Sequence, residues 1–300
     1  MVLVAGVLWA FNGTVSKLLL QGGFDALQLT TFRAAGAVPT LLLLILLARS
    51  RPRLTVTRAE LPRLVLYGLA GFFVVPVLYF VSISRLPVGI GLLFEYMGPA
   101  LVALWVWVGE RQRVKARLWV GLALCLIGLA LVAEVYRGEL RLDGLGVAAG
   151  LGCAVLLAFY YVVGAKSVAK RDPLSLTTYA FIVAALAGAV IRPWWNFPGH
   201  LLGGASHGVP MWLLAIYLIA FGTVAPYLLA VAAMRHLPPT SVGIIGMIEP
   251  VLASAFAWVL LDEHLLGVQM LGGLVVLAGV ILAETARTLG PGETAELPPG

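Results

Sequence analysis

The feature that leaves this chain fewest ways to fold is a succession of uncharged apolar runs, each about as long as the hydrocarbon core of a bilayer is thick. Bounded by charge or by Pro/Gly clusters, they fall at about 1 to 20, 26 to 49, 61 to 84, 87 to 109, 115 to 136, 143 to 166, 174 to 193, 209 to 235, 239 to 261 and 265 to 288. About 20 apolar residues make one helical crossing. Lipid offers the backbone no hydrogen-bond partners, so only helices and closed barrels cross it, and these continuous runs lack the in/out alternation of barrel strands. The expectation is an all-α integral membrane protein with ten transmembrane helices. Linkers as short as Arg85-Leu86-Pro87 and Leu237-Pro238-Pro239 call for tight helical hairpins. Composition closes off a soluble fold: 61% of residues are apolar and 11% charged, where globular chains carry about 45–50% and 25%.

Lys and Arg set the orientation. With the N-terminus inside, fourteen of them face the cytoplasm, in the groups Arg49 to Arg63, Arg111 to Arg117, Lys166 to Arg171, then Arg235 and Arg287. Five face outward (Lys17, Arg85, Arg137, Arg141 and Arg192), and Arg33 lies within the second segment. Both termini are therefore expected in the cytoplasm of a bacterium, with the chain in its inner membrane. The net charge of +6 then reads as basic loops meeting anionic lipid, because no basic run is long enough to track nucleic acid. Cys125 and Cys153 lie in apolar runs and read as packing residues, not a disulfide scaffold. The first segment, with no basic leader or small-residue cleavage site, reads as a retained helix. Residues 290–300 have the composition of a disordered tail.

Sliding the chain along itself exposes a repeat whose coincidences fall on Pro, Gly and Trp. Pro76 meets Pro226 and Arg85 meets Arg235 at a shift of 150; at 151, Pro99 meets Pro250, Trp107 meets Trp258, Gly121 meets Gly272, Gly128 meets Gly279 and Trp9 meets Tyr160. The halves are 1–140 and 141–289, five helices each. Five is odd, so the second half must enter the membrane from the opposite side. That inverted-repeat construction is the one alternating-access carriers use, with the solute held at the midplane between the halves.

The run Gly246-Met247-Ile248-Glu249-Pro250 through Trp258 and Leu261-Asp262-Glu263 resembles the ninth-helix signature of EamA-type carriers in the drug/metabolite transporter superfamily. A weaker twin runs from Met97-Gly98-Pro99-Ala100 through Trp107 to Gly109-Glu110. The resemblance covers residues 1 to about 288 and is greatest to the YddG-type amino-acid exporters. It implies ten helices with both termini inside and a central cavity lined by the first, third, fourth, sixth, eighth and ninth.

Helical spacing picks out candidates for that cavity. Trp9, Asn12 and Ser16 form one stripe of the first helix, matched on the sixth by Tyr160, Val163 and Ser167; Asn12 reads either as cavity lining or as interhelical glue. Pro76, Pro99, Pro226 and Pro250 lie deep in apolar runs, where each removes an amide donor and strains the preceding turn, and they read as hinges. Tyr79 and Tyr227 lie beside Pro76 and Pro226 and read as cavity residues or interfacial anchors. Glu95 and Glu249 are intramembrane carboxylates, each costing on the order of 3 kcal/mol at a helix centre. Relative to their prolines they differ by three residues, so they are not copies of one another. They read as substrate or proton groups, or as structural residues hydrogen-bonded to a neighbour or paired with Arg33 or Lys17. The Gly121/Gly128 and Gly272/Gly279 rows read as close helix packing.

The function these features suggest is export of amino acids by alternating access. A cavity mixing aromatic rings, an amide and carboxylates suits zwitterions, while phosphorylated solutes would call for midplane Lys/Arg clusters. Lipophilic cations or another small metabolite are the alternative cargo, and an intramembrane enzyme the remote one, with no nucleophile-base constellation to support it. No cofactor is expected, and His200, His207, His236 and His264 are too scattered for a metal site.

Overall fold

A computed structural model describes residues 1–48, 54–86, 88–137, 143–261 and 266–286. The expected tail at 290–300 and the loop charges Arg49, Arg51, Arg53, Arg141 and Arg287 lie outside the described residues. Among them, nine helices are long and apolar enough to cross a membrane, and a shorter apolar helix covers Ala116–Val132. They make up a multi-pass membrane protein whose apolar side chains point outward: Leu46 is 81% exposed and Val190 85%. Such a belt would be a liability in water but is the natural surface against lipid.

In chain order the helices are α1 (Val2–Gln21), α2 (Ala26–Leu47), α3 (Leu61–Tyr67), α4 (Val75–Arg85), α5 (Val88–Glu95), α6 (Gly98–Leu104), α7 (Ala116–Val132), α8 (Gly144–Val168), α9 (Pro173–Ile191), α10 (Met211–Ile219), α11 (Ala225–Ala233), α12 (Pro239–Gly246), α13 (Glu249–Leu261) and α14 (Gly267–Thr285). Aspartates start three of them. Asp25 accepts from the amides of Leu27 and Gln28 at 2.7 and 3.3 Å, Asp143 from Gly146 at 2.9 Å and Asp172 from Ser175 at 2.8 Å, satisfying amides that a helix start leaves unpaired. A two-residue hairpin, Ala205–Ser206 against Val209–Pro210, turns through His207 and Gly208, both with positive φ. It departs from the expectation of no strands, and it sits in the connection before α10, where a strand pair need not span lipid.

The proline-bearing segments differ in detail from what the sequence suggests. Pro76, Pro99, Pro226 and Pro250 are each the second residue of a new helical segment, not a kink inside a continuous one. Before Pro76 and Pro226 the helix widens into π-helical stretches, Gly68–Val74 and Ala220–Val224. Before Pro99 and Pro250 it breaks, at Tyr96-Met97 and Met247-Ile248, where amides bond three residues back: Met97 to the Phe94 carbonyl at 3.1 Å and Met247 to the Ile244 carbonyl at 3.0 Å. The physical cause is shared. Proline offers no N–H to the carbonyl four residues earlier and its ring crowds that carbonyl, so the turn opens or ends.

Glycines set the closest contacts. A Cβ at Gly128 would lie 2.6 Å from the Gly272 carbonyl, and one at Gly121 2.7 Å from the Gly279 carbonyl, so α7 and α14 meet backbone to backbone. Between them the Cys125 thiol lies 3.7 Å from the Val276 carbonyl; Cys153 lies 3.6 Å from the Val75 carbonyl, and both cysteines are free and buried. α1 packs on α10 through α13, α8 on α3 through α6, and α2 on α9.

The interhelical loops are tied at both ends of the bundle. At one end the buried Arg171 donates to the Thr55 carbonyl at 2.8 Å and to Glu60 at 3.0 Å, the Tyr179 hydroxyl donates to the Leu54 carbonyl, and Lys166 pairs with Glu110 at 2.9 Å. At the other, Arg192 pairs with Asp25 at 2.9 Å and Arg85 with Asp143 at 3.6 Å.

Candidate functional site

The two broken segments face each other in the middle of the bundle. α6 packs on α12, and a Cβ at Gly243 would lie 3.0 Å from the Pro99 ring and 3.3 Å from the ring of Tyr161 on α8. Glu95 is the last residue of α5 and Glu249 the first of α13, so the carboxylates leave the two breaks from opposite sides and converge. Both are half-buried.

Their neighbours come from four other helices and from the break after α5. The Tyr96 side chain lies beside Glu249. Arg33 of α2 faces Glu95 and reaches the Tyr227 side chain on α11. Tyr79 of α4 and Tyr161 of α8 lie in the field of both carboxylates, and Cys153 lies beside Glu95. Of the two carboxylates, Glu95 is the one that the Arg33 guanidinium acts on.

An aromatic group adjoins this acidic end through Tyr227. Its ring meets Trp9 edge-on at 5.3 Å, Phe72 at 4.8 Å and Phe181 at 5.3 Å. Tyr160 lies 6.5 Å from Tyr227 and stacks on Tyr67 at 5.5 Å with ring planes 9° apart. The hydroxyls of Tyr67 and Tyr160 and the Oδ1 of Asn12 are buried with no hydrogen-bond partner, an arrangement that costs roughly 1–3 kcal/mol per group unless another molecule supplies the bond. Asn12 presses on the π-helical stretch before Pro226: its Oδ1 would be 1.9 Å from a Cβ at Gly222, while a Cβ on the adjacent Gly13 would meet nothing within 4 Å.

The structure thus brings Tyr79, Glu95 and Glu249 into one group and Trp9, Tyr160 and Tyr227 into a second that touches it, with Asn12 at the edge. Ser167, matched to Ser16 in sequence, is spent on its own helix, donating to the Val163 carbonyl at 2.6 Å. Arg33, Tyr67, Tyr96 and Tyr161 join the site without having been singled out as lining. Arg33 comes from the second segment, which the resemblance leaves outside the cavity, although the sequence names it as a partner for the glutamates. Among the described residues no cluster of His, Cys, Asp or Glu could hold a metal ion. Chemically, the site offers hydrogen-bond acceptors and negative charge to a cationic group, a guanidinium to an anionic one, and ring faces to an apolar body.

The sequence pattern of the EamA-like transporter family matches residues 1–133 and 144–285. An uncharacterized transporter of Archaeoglobus fulgidus is 30% identical, covering 90% of this chain and 91% of its own. The threonine/homoserine exporter RhtA of Escherichia coli K12 is 28% identical, covering 92% and 89%. A solved crystal structure superposes with a TM-score of 0.78 at 17% identity over 94% of each chain, a likeness of fold alone.

Proposed function

Because the chain belongs to the EamA-like transporter family, within the drug/metabolite transporter superfamily, we propose that it is a carrier rather than an enzyme and exports amino acids, aromatic and hydrophobic ones included, by alternating access. The observation that carries the substrate class is the grouping of two carboxylates, Glu95 and Glu249, with Arg33 near Glu95 and the ring cluster alongside. An α-amino acid presents an ammonium, a carboxylate and a side chain, and the site holds a complement to each. The relatives named as threonine/homoserine exporters support the same class. The test is counterflow of radiolabelled amino acids in proteoliposomes. Trans-stimulated uptake of amino acids, with a lipophilic cation inert, is the expected result. Uptake of the cation alone would favour the second reading, an exporter of lipophilic cations, for which carboxylates among rings also provide.

The architecture this mechanism needs is ten helices in two inverted repeats, 1–140 and 141–289. The helix contacts support it. At a shift of 151, Gly121 corresponds to Gly272 and Gly279 to Gly128, so a two-fold axis turns the Gly121/Gly279 contact into the Gly272/Gly128 contact, which is also present. α1 against α11 and α13 has its counterpart in α8 against α4 and α6. The basic-loop count supports both termini in the cytoplasm of a bacterial inner membrane.

A further inference from the structure

We propose that the connection between α6 and α7 binds the headgroup of an anionic phospholipid, with the Trp105 and Trp107 rings as the surface for its acyl chains.

The argument starts from a helix that leaves the α-form with no proline beside it. Residues Trp105–Gly109 are π-helical, a geometry that is rare and frequent at functional places. Along it Trp105 is 50% exposed, Trp107 54% and Val108 63%. Trp119 of α7 meets Trp107 edge-on at 6.2 Å. Amphipathic rings of this kind settle at the level of lipid headgroups.

Four cations follow directly. Arg111, Arg113, Lys115 and Arg117 are exposed, and none of them has an acidic partner among the described residues. Glu110, the carboxylate next to them in the chain, is already engaged. It pairs with Lys166 of α8 at 2.9 Å and accepts from the Trp105 indole and from the Gln112 amide group, each at 3.4 Å. Lys166 in turn lies 5.9 Å from the centre of the Trp105 ring.

The start of this connection is pinned. The backbone amides of Glu110 and Gln112 return to the Trp105 and Val106 carbonyls at 3.1 Å each. Between them Arg111 holds a φ of 53°, in the left-handed region that a residue with a Cβ enters at a cost. The sign of the loop follows from orientation alone, since Lys and Arg gather on the cytoplasmic side. Orientation accounts neither for the fixed backbone nor for the exposed rings. A soluble anion would be met by charge only. A phospholipid presents a phosphate and acyl chains together, as this connection presents cations and a lipid-level aromatic surface together.

The test uses the purified full-length chain in neutral detergent micelles, titrated with dioleoylphosphatidylglycerol or with dioleoylphosphatidylcholine, which has the same chains and no net charge. Native mass spectrometry counts the lipid that stays bound. The parent is expected to retain phosphatidylglycerol in preference, and the preference to fade as salt is raised. Arg111→Gln, Arg113→Gln, Lys115→Gln and Arg117→Gln should each weaken that binding by about fivefold, with the unfolding midpoint in lipid-free detergent unchanged. Trp107→Ala, which keeps every charge, should weaken it as well. A variant with Arg49, Arg51, Arg53 and Arg58 replaced by Gln should bind as the parent does. Equal retention of the two lipids by the parent would leave the four cations as orientation signals and overturn the proposal. Loss of binding in the variant at positions 49–58 would overturn it in favour of diffuse charge, and displacement of the lipid by soluble glycerol phosphate in favour of a soluble anion.

Discussion

Two side-chain contacts lead to predictions that need no knowledge of the cargo. Glu60 accepts from the Thr57 amide at 3.1 Å and from Arg171 at 3.0 Å, and these hold its carboxyl below the usual carboxylate range, the amide first, against an opposing effect of burial. A carboxyl lowered in the folded state stabilises it above the unfolded value, near 4.5 for this group, and that stabilisation is lost as pH falls through the folded value. Hydrogen exchange of residues 54–60 is therefore expected to show no loss of protection from neutral pH down to the ordinary carboxylate range and a loss below it; Glu60→Gln should show the low-pH behaviour throughout. The second contact is Asn12 on Gly222. A Cβ there would lie 1.9 Å from Oδ1 and 2.5 Å from Cγ, so Gly222→Ala must displace the amide, at a cost of about 1–3 kcal/mol from overpacking. Adding Asn12→Ala removes the obstacle, and thermal unfolding in detergent should find the double variant more stable than Gly222→Ala alone. Additive losses would mean that Asn12 does not occupy the place described.

At the level of the helices, the π-helical stretches before Pro76 and Pro226 and the breaks before Pro99 and Pro250 are departures from uniform α-helix that lie next to prolines; a third π-helical stretch, Trp105–Gly109, does not. Restoring the missing amide with Pro76→Ala or Pro226→Ala should let the α-pattern run through the preceding turn. The expected outcome is a transport rate that falls by more than the affinity for threonine does, measured as counterflow rate against thermal-shift midpoint; reduced affinity at unchanged rate would make these segments a fixed wall. The prolines locate these four departures in the sequence to within a few residues, because their chemistry is local, whereas nothing in the sequence marks the π-helical stretch at Trp105–Gly109. Whether a helix widens or breaks was not legible, since that choice depends on what packs alongside: Tyr160 fills the space beside Gly71, and Asn12 the space beside Gly222. The span positions were legible because about 20 apolar residues in lipid have few alternatives to a helix. Arg33 was harder to place, because an isolated intramembrane cation reads equally well as a buried partner and as a snorkelling side chain. Tyr96 and Tyr161 sit one residue from Glu95 and Tyr160, about 100° around an ideal helix, and only the break after Glu95 and the crossing of α8 by Gly243 bring them to the same site.

For the whole molecule the decisive matter is which connections share a side of the membrane, because an inverted repeat needs an odd number of crossings in each half. The ion pairs sort the loops into two sets. Glu60, Glu110, Lys166 and Arg171 are tied at one end of the bundle, and Asp25, Arg85, Asp143 and Arg192 at the other. The first set lies in the loops that carry most of the Lys and Arg, the side that the proposed orientation puts in the cytoplasm. If α7 is a true fifth crossing despite its 17 residues, the connection before it and the connection after it must lie on opposite sides; if α7 instead lies along one interface, every later loop changes sides and the halves become parallel. Single cysteines at Arg58, Arg113, Asp143 and Gly204, introduced into a chain whose buried Cys125 and Cys153 have been replaced by Ala, distinguish these arrangements. A membrane-impermeant thiol reagent applied to intact cells is expected to label positions 143 and 204 directly and positions 58 and 113 only after permeabilisation. Labelling of 113 and 143 from the same side would remove the fifth crossing, and with it the two-fold relation that joins Gly121/Gly279 to Gly272/Gly128.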